Sequence, residues 1–238
     1  GEAMAEMEEL SYIRRNLDTV RAELAAHAAK VGRAAPRLIA VTKSASDEQV
    51  LALAAYGVTD IAENRVQNFS ARRALLQAHG FCPALHLIGS LQTNKVKYLA
   101  DSVSLIQSVD SLRLAAEIEK QAAKHGIVMD VLVEINSGME ENKSGISPDD
   151  AAAFCLALRR FSHINLCGFM TMAPKCEKNE EYRKYFCKTS QLCLDIWQKT
   201  LHNIDRPILS MGMSDSFEVA IEEGADIVRV GRALFAPH

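Results

Sequence analysis

The 238 residues carry a net charge of −3, with 48% hydrophobic and 24% charged side chains, the balance of an ordinary soluble globular protein. That balance offers no basic field for nucleic acid and no polybasic membrane signal, and no apolar stretch approaches the roughly 20 residues that span a bilayer. The length suits one α/β barrel of ~250 residues, so 1–238 is expected to form a single domain. Gly1-Glu2-Ala3 ahead of Met4 resembles a cloning scar more than a targeting signal.

Apolar residues at three- and four-residue steps (Met7, Leu10, Ile13, Leu17, Val20, Leu24) predict an amphipathic helix over 5–31. Strand-like and helix-like segments then alternate. Strands are expected at 37–43, 60–64, 84–89, 104–109, 129–136, 164–171, 207–212 and 226–230, with helical patterns such as Leu112 to Lys124 and Glu180 to Leu201 between them. Crossovers of that length demand parallel pairing. Eight βα units predict a (β/α)8 TIM-type barrel with an extra N-terminal helix. The chain ends a few residues after its eighth strand, so the first helix is expected to cover the surface that a missing last helix exposes.

Chemistry concentrates at three strand ends. Lys43 closes the run Arg37-Leu-Ile-Ala-Val-Thr-Lys43, and Ser46-Asp47 follow it like a helix start. A lysine in the mouth of a βα loop sits where ligands bind, and when desolvated it attacks carbonyls to form a Schiff base. The bland alternative is a lysine reaching into water. Near the C-terminus, Gly212 and Ser214 follow one strand, and Gly231 and Arg232 follow the next. Small residues before a helix start let the backbone cradle an anion, and two adjacent loops of this kind predict a phosphate site. Alternation sends Arg229 to the side of Gly231, either into the barrel or outward to Glu222 or Glu223.

The stretches AVTK around Lys43, ENRVQN from Glu63, HLIGSLQTNK from His86, NKSGI from Asn142, GFMTMAP from Gly168, SMGMS and VRVG carry a resemblance. Along almost its whole length the chain resembles the pyridoxal phosphate homeostasis protein family, single-barrel relatives of fold-type III alanine racemases. The resemblance implies a barrel that binds pyridoxal 5'-phosphate (PLP) without established catalysis. It implies Lys43 as the aldimine lysine and Arg229 facing the pyridine nitrogen. Ser214, Gly231, Arg232 and the backbone N–H of Met213 would contact the phosphate. The Arg229 guanidinium, so placed, would leave the pyridine nitrogen unprotonated and weaken the ring as an electron sink. Asn64, at the end of strand two, would either bond the ligand or cap the next helix. The chain departs from the family pattern at Arg232 (usually Ser or Thr), Ser216 (usually Asp), Ala62 and Ala236 (both usually Gly).

A racemase-like PLP enzyme is the competing function. The five tyrosines, Tyr12, Tyr56, Tyr98, Tyr182 and Tyr185, lie in helical patterns, so a second base is not evident. His86 is expected to be a buried histidine satisfied by backbone, and Lys95 a solvated lysine. The six cysteines lack paired metal-ligand or CxxC spacing, which predicts reduced, mostly buried thiols and a cytoplasmic protein. No heptad seam or long apolar edge is present, so a monomer is expected. PLP-requiring apo-enzymes are the partners implied by the resemblance.

Overall fold

A computed structural model describes residues 2–201 and 204–237, with side chains from residue 9 onward. Of the three residues assigned to a scar, Gly1 lies outside that range, and Glu2 and Ala3 begin helix α1 (Glu2–Lys30). The Met7 side chain of the predicted apolar stripe is also outside it.

Eight parallel strands close into a barrel in sequence order: β1 (Arg37–Val41), β2 (Asp60–Glu63), β3 (Ala84–Leu87), β4 (Leu105–Val109), β5 (Met129–Ile135), β6 (Ile164–Thr171), β7 (Ile208–Ser210) and β8 (Ile227–Val230). Pairing of Leu38 with Val228 and of Ala40 with Val230 closes the ring. Alternate residues face inward, so Ile39, Ala62, Ile88, Leu132, Met170 and Ile227 fill the lumen. The intervening residues, such as Ala40, Ile61, Val228 and Val230, pack against the helices.

Helices α2 (Asp47–Ala55), α3 (Val66–Ala78), α4 (Leu112–His125), α5 (Ala151–Leu158), α6 (Arg183–Lys199), α7 (Phe217–Glu222) and α8 (Arg232–Phe235) follow their strands. Local chemistry sets their ends. Ser46 and Gln49 form a capping box at the start of α2, and Ser111 caps α4, which stops at left-handed Gly126. After β3 the chain forms a 3-10 helix over Thr93–Tyr98 in place of the expected α-helix. Its β-branched Thr93 and Val96 disfavour a longer α-helix.

Most predicted strands run past the observed ones. Thr42 and Lys43, Asn64, Ile88 and Gly89 lie past the strand ends at the barrel's C-terminal mouth, although the Thr42 and Ile88 N–H groups still donate to the Ala62 and Glu63 carbonyls. Helix α1 lies against α2, α7 and α8, as expected of a helix covering the β8–β1 side. Ile13, Leu17, Val20, Leu24 and Ala28 form its buried stripe, each large apolar side chain stabilising by about 1.5–3 kcal/mol. Asn16 Nδ2 fixes the contact by donating to the carbonyls of Leu234 and Ala236, at 2.9 Å each. Among the described residues, no helix is long and apolar enough to cross a membrane.

Candidate functional site

A cavity of about 700 Å³ opens at the C-terminal mouth, between β1 and the last three strands. Lys43, Met213, Ser214, Arg229, Gly231 and Arg232 all line it. The fold therefore brings together six sequence-predicted positions from opposite ends of the chain. Asn64 is the exception, because it lies outside this lining. Arg65, and not Asn64, is the N-cap residue of α3, and buried Asn64 Oδ1 has no hydrogen-bond partner among the described residues. The capping alternative is thereby removed.

Lys43 sits two residues beyond β1 on an exposed turn closed by Ala45 N–H donating to Thr42 O at 3.0 Å. Across the cavity, Arg229 is completely buried, which rules out the outward alternative. Glu222 and Glu223 instead pair with Arg183 on α6, at 2.9 and 3.0 Å. Arg229 Nη1 donates to Ser210 Oγ at 2.7 Å and Nη2 to the Thr171 carbonyl at 2.9 Å. Its Nε is buried without a partner among the described residues. Burial pushes the guanidinium down to about 10, opposed by the charge of Glu134, so it stays a cation at neutral pH.

The late loops meet as the sequence predicts, but their donors are partly committed. Gly212, at φ +102°, makes the tight turn after β7, where a Cβ would lie 2.6 Å from Ala220 Cβ. Ser214 Oγ accepts the Ala233 N–H at 3.0 Å, joining the two loops. Its hydroxyl proton is still available to a ligand. The Met213 N–H, expected to face a phosphate, donates to Ser216 Oγ at 3.0 Å. In contrast, the N–H groups of Ser214, Asp215 and Gly231 have no acceptor among the described backbone hydrogen bonds. Gly231 owes its missing side chain partly to packing, since a Cβ would stand 3.1 Å from the Val41 carbonyl oxygen. The Arg232 side chain is 73% exposed at the rim, 3.8 Å from Asp215 Oδ2.

Sequence reasoning missed several groups. Tyr182 lines the cavity, stacks on Phe186, accepts the Cys176 N–H at 3.1 Å and donates to Asp215 Oδ2 at 3.2 Å. Burial raises its phenol pKa. His86 is satisfied by side chains rather than backbone. Its Nε2 contacts Asp60 Oδ1 at 2.8 Å, and its Nδ1 lies 3.3 Å from Gln107 Nε2. Ser210 Oγ donates to Gln107 Oε1 at 2.7 Å, so a polar chain runs through the lumen from Arg229 to Asp60 and Arg37. Burial acts to raise the Asp60 pKa, but hydrogen bonds from His86, Arg37 and Thr59 hold it at about 2. Lys95 is exposed, in line with the solvated reading. All six cysteines are free, but only Cys155 and Cys193 are buried, fewer than their apolar neighbours suggested.

Glu134 is a buried carboxyl on β5, pushed up to about 7 by burial and then by Asp110, with Arg229 opposing. A folded-state pKa above the ordinary value means the native protein binds this proton more tightly than the unfolded chain. Glu134 therefore stabilises fully below about pH 4.5, and that contribution is lost as pH rises through about 7. The loss amounts to about 3 kcal/mol. Denaturant midpoints between pH 5 and 8 are expected to fall for the native protein and to flatten for Glu134→Gln. Equal slopes would contradict the assignment.

Residues 13–238 match the family model for the alanine racemase N-terminal domain. A pyridoxal phosphate homeostasis protein of Aquifex aeolicus is 40% identical over 215 residues, covering 90% of this chain and 92% of that protein. The chain belongs to the pyridoxal phosphate homeostasis protein family. Another family member, from Deinococcus radiodurans, is 36% identical over 87% of this chain and 93% of its own. PipY of Synechococcus elongatus, solved with PLP bound, superposes with a TM-score of 0.82 at 28% identity, over 94% of this chain and all of PipY. The alanine racemase of Clostridium difficile shares the barrel alone, with a TM-score of 0.73 at 19% identity over 96% of this chain and 60% of the racemase.

Proposed function

We propose that this chain binds PLP in the barrel-mouth cavity as an imine with Lys43, then buffers it and delivers it to PLP-requiring apo-enzymes, without robust catalysis of its own. The observation that carries this reading is the buried Nε of Arg229, a charge-bearing donor without an acceptor, on the cavity that Lys43 and both late loops also line. Such an orphan is costly unless a ligand supplies a lone pair, and an unprotonated pyridine nitrogen does so. PLP supplies an aldehyde for an amine, a ring nitrogen for a guanidinium and a phosphate for free N–H groups. Lys43, Arg229, and the loops holding Met213, Ser214, Gly231 and Arg232 fit those three demands. Asn64 Oδ1 is a further unpartnered polar atom at the same end of the barrel. The family's naming and the PLP-bound PipY structure support the same ligand. The proposal includes a single-domain monomer in a reducing, cytoplasmic compartment, in keeping with six free cysteines.

The site is tested by titrating the protein with PLP and with phosphate-free pyridoxal while following absorbance. PLP is expected to bind more tightly, and Ser214→Ala to lose roughly 1–3 kcal/mol of PLP affinity while leaving pyridoxal unchanged. Equal affinity for the two aldehydes would move the phosphate away from these loops.

A further inference from the structure

We propose that Arg72 is a positioning residue for Lys43, clamping from α3 both ends of the turn that presents the lysine; this rests on the imine reading of Lys43. The turn runs from Thr42 to Ala45, with Lys43 and Ser44 exposed at its crest. Arg72 Nη2 donates to the carbonyls of Thr42, at 3.1 Å, and Ala45, at 2.5 Å. The same guanidinium gives Nη1 to Asp47 Oδ1 at 2.9 Å, and its Nε lies 3.7 Å from Glu63 Oε2. Thr42 Oγ1 donates to that Glu63 oxygen, and the Thr42 N–H to the Ala62 carbonyl at 3.1 Å. Besides the Ala45 N–H bond to the Thr42 carbonyl within the turn, the lysine's flanks are thus held by Arg72 and by the β2 residues beside it.

Beyond Ala45 the Ser46 and Gln49 capping box continues the restraint, with Gln49 Nε2 donating to Tyr12 Oη on α1 at 2.8 Å. Two carbonyls and two carboxylates around one side chain call for a planar guanidinium with several fixed donors. A lysine ammonium concentrates its donors at one point and cannot span them. The burial of Glu63 raises its carboxyl pKa, while the Thr42 hydroxyl, Arg72 and, least, the charge of Lys43 oppose that rise. The step served is condensation: the neutral Lys43 amine adds to the ligand aldehyde, a C=N bond forms, and the aldehyde oxygen leaves as water. Small misplacement of such a nucleophile costs up to about 100-fold.

The test follows Arg72→Ala and Arg72→Lys by amide hydrogen exchange in the ligand-free protein and by the rate of borohydride-reducible imine formation with PLP. Faster exchange of the Ala45 N–H with core amides still protected is expected, together with a 10- to 100-fold slower imine rate. Millimolar guanidinium should restore part of that rate in Arg72→Ala. Unchanged Ala45 protection, or lost protection with an unchanged imine rate, overturns the proposal. If Arg72→Ala also loses its core protection, Arg72→Lys decides on the same two readouts. Failure of the native protein to form a reducible imine at Lys43 would instead refute the functional reading, and Ala45 exchange would still report on the clamp.

Discussion

Lys43→Ala is expected to abolish the reducible PLP adduct while leaving folding cooperative. The side chain is exposed at a turn crest, so its removal should change stability by no more than about 0.5 kcal/mol. The covalent bond, however, depends wholly on the amine. PLP should then bind only through Arg229 and the late loops, with a free-aldehyde spectrum that borohydride does not convert to a protein-bound product. Lys175 also lines the cavity. A persistent protein-bound imine in Lys43→Ala would assign the aldehyde to another lysine.

Exchange of the α-proton of a bound amino acid is expected to be slow, which separates a carrier from a racemase-like enzyme. Arg229 holds its place through Ser210 and Thr171, and among the described residues no carboxylate hydrogen-bonds it. Tyr182 is the cavity-lining tyrosine, but its hydroxyl is engaged by Asp215 and Cys176, and burial raises its pKa, so it is a poor base at neutral pH. PLP-loaded protein incubated with several L-amino acids in deuterated water should retain the α-proton NMR signal over hours. Loss within seconds, abolished by Lys43→Ala, would restore the enzyme reading. Loss that Tyr182→Phe also removes would identify the base.

The fold was legible because eight short, mostly apolar runs alternate with longer helix-like segments, a pattern that local sequence carries. Strand ends were less legible. Thr42 and Ile88 continue the apolar or β-branched character of their strands, and their N–H groups still bond the Ala62 and Glu63 carbonyls, so no local signal marks where those strands stop. The lysine end and the two late loops were legible because small residues at strand-to-helix junctions are local signals. The His86, Asp60 and Gln107 contacts were not, since they join different strands through barrel register, with Asp60 beside Ala84 and His86 beside Leu105. Tyr182 was hidden by its helix-like surroundings, and its packing on Phe186 turns it toward the cavity. Ser216 as the acceptor of the Met213 N–H was equally invisible, because it depends on the turn that Gly212 permits.

The most direct measurement mixes the native protein with PLP, records the absorbance, reduces with borohydride and maps the modified peptide by mass spectrometry. A band near the visible edge that borohydride removes, with the phosphopyridoxyl tag on Lys43 alone, is the predicted result. No reducible band, or a tag confined to Lys95, Lys175 or another lysine, would contradict PLP binding through Lys43.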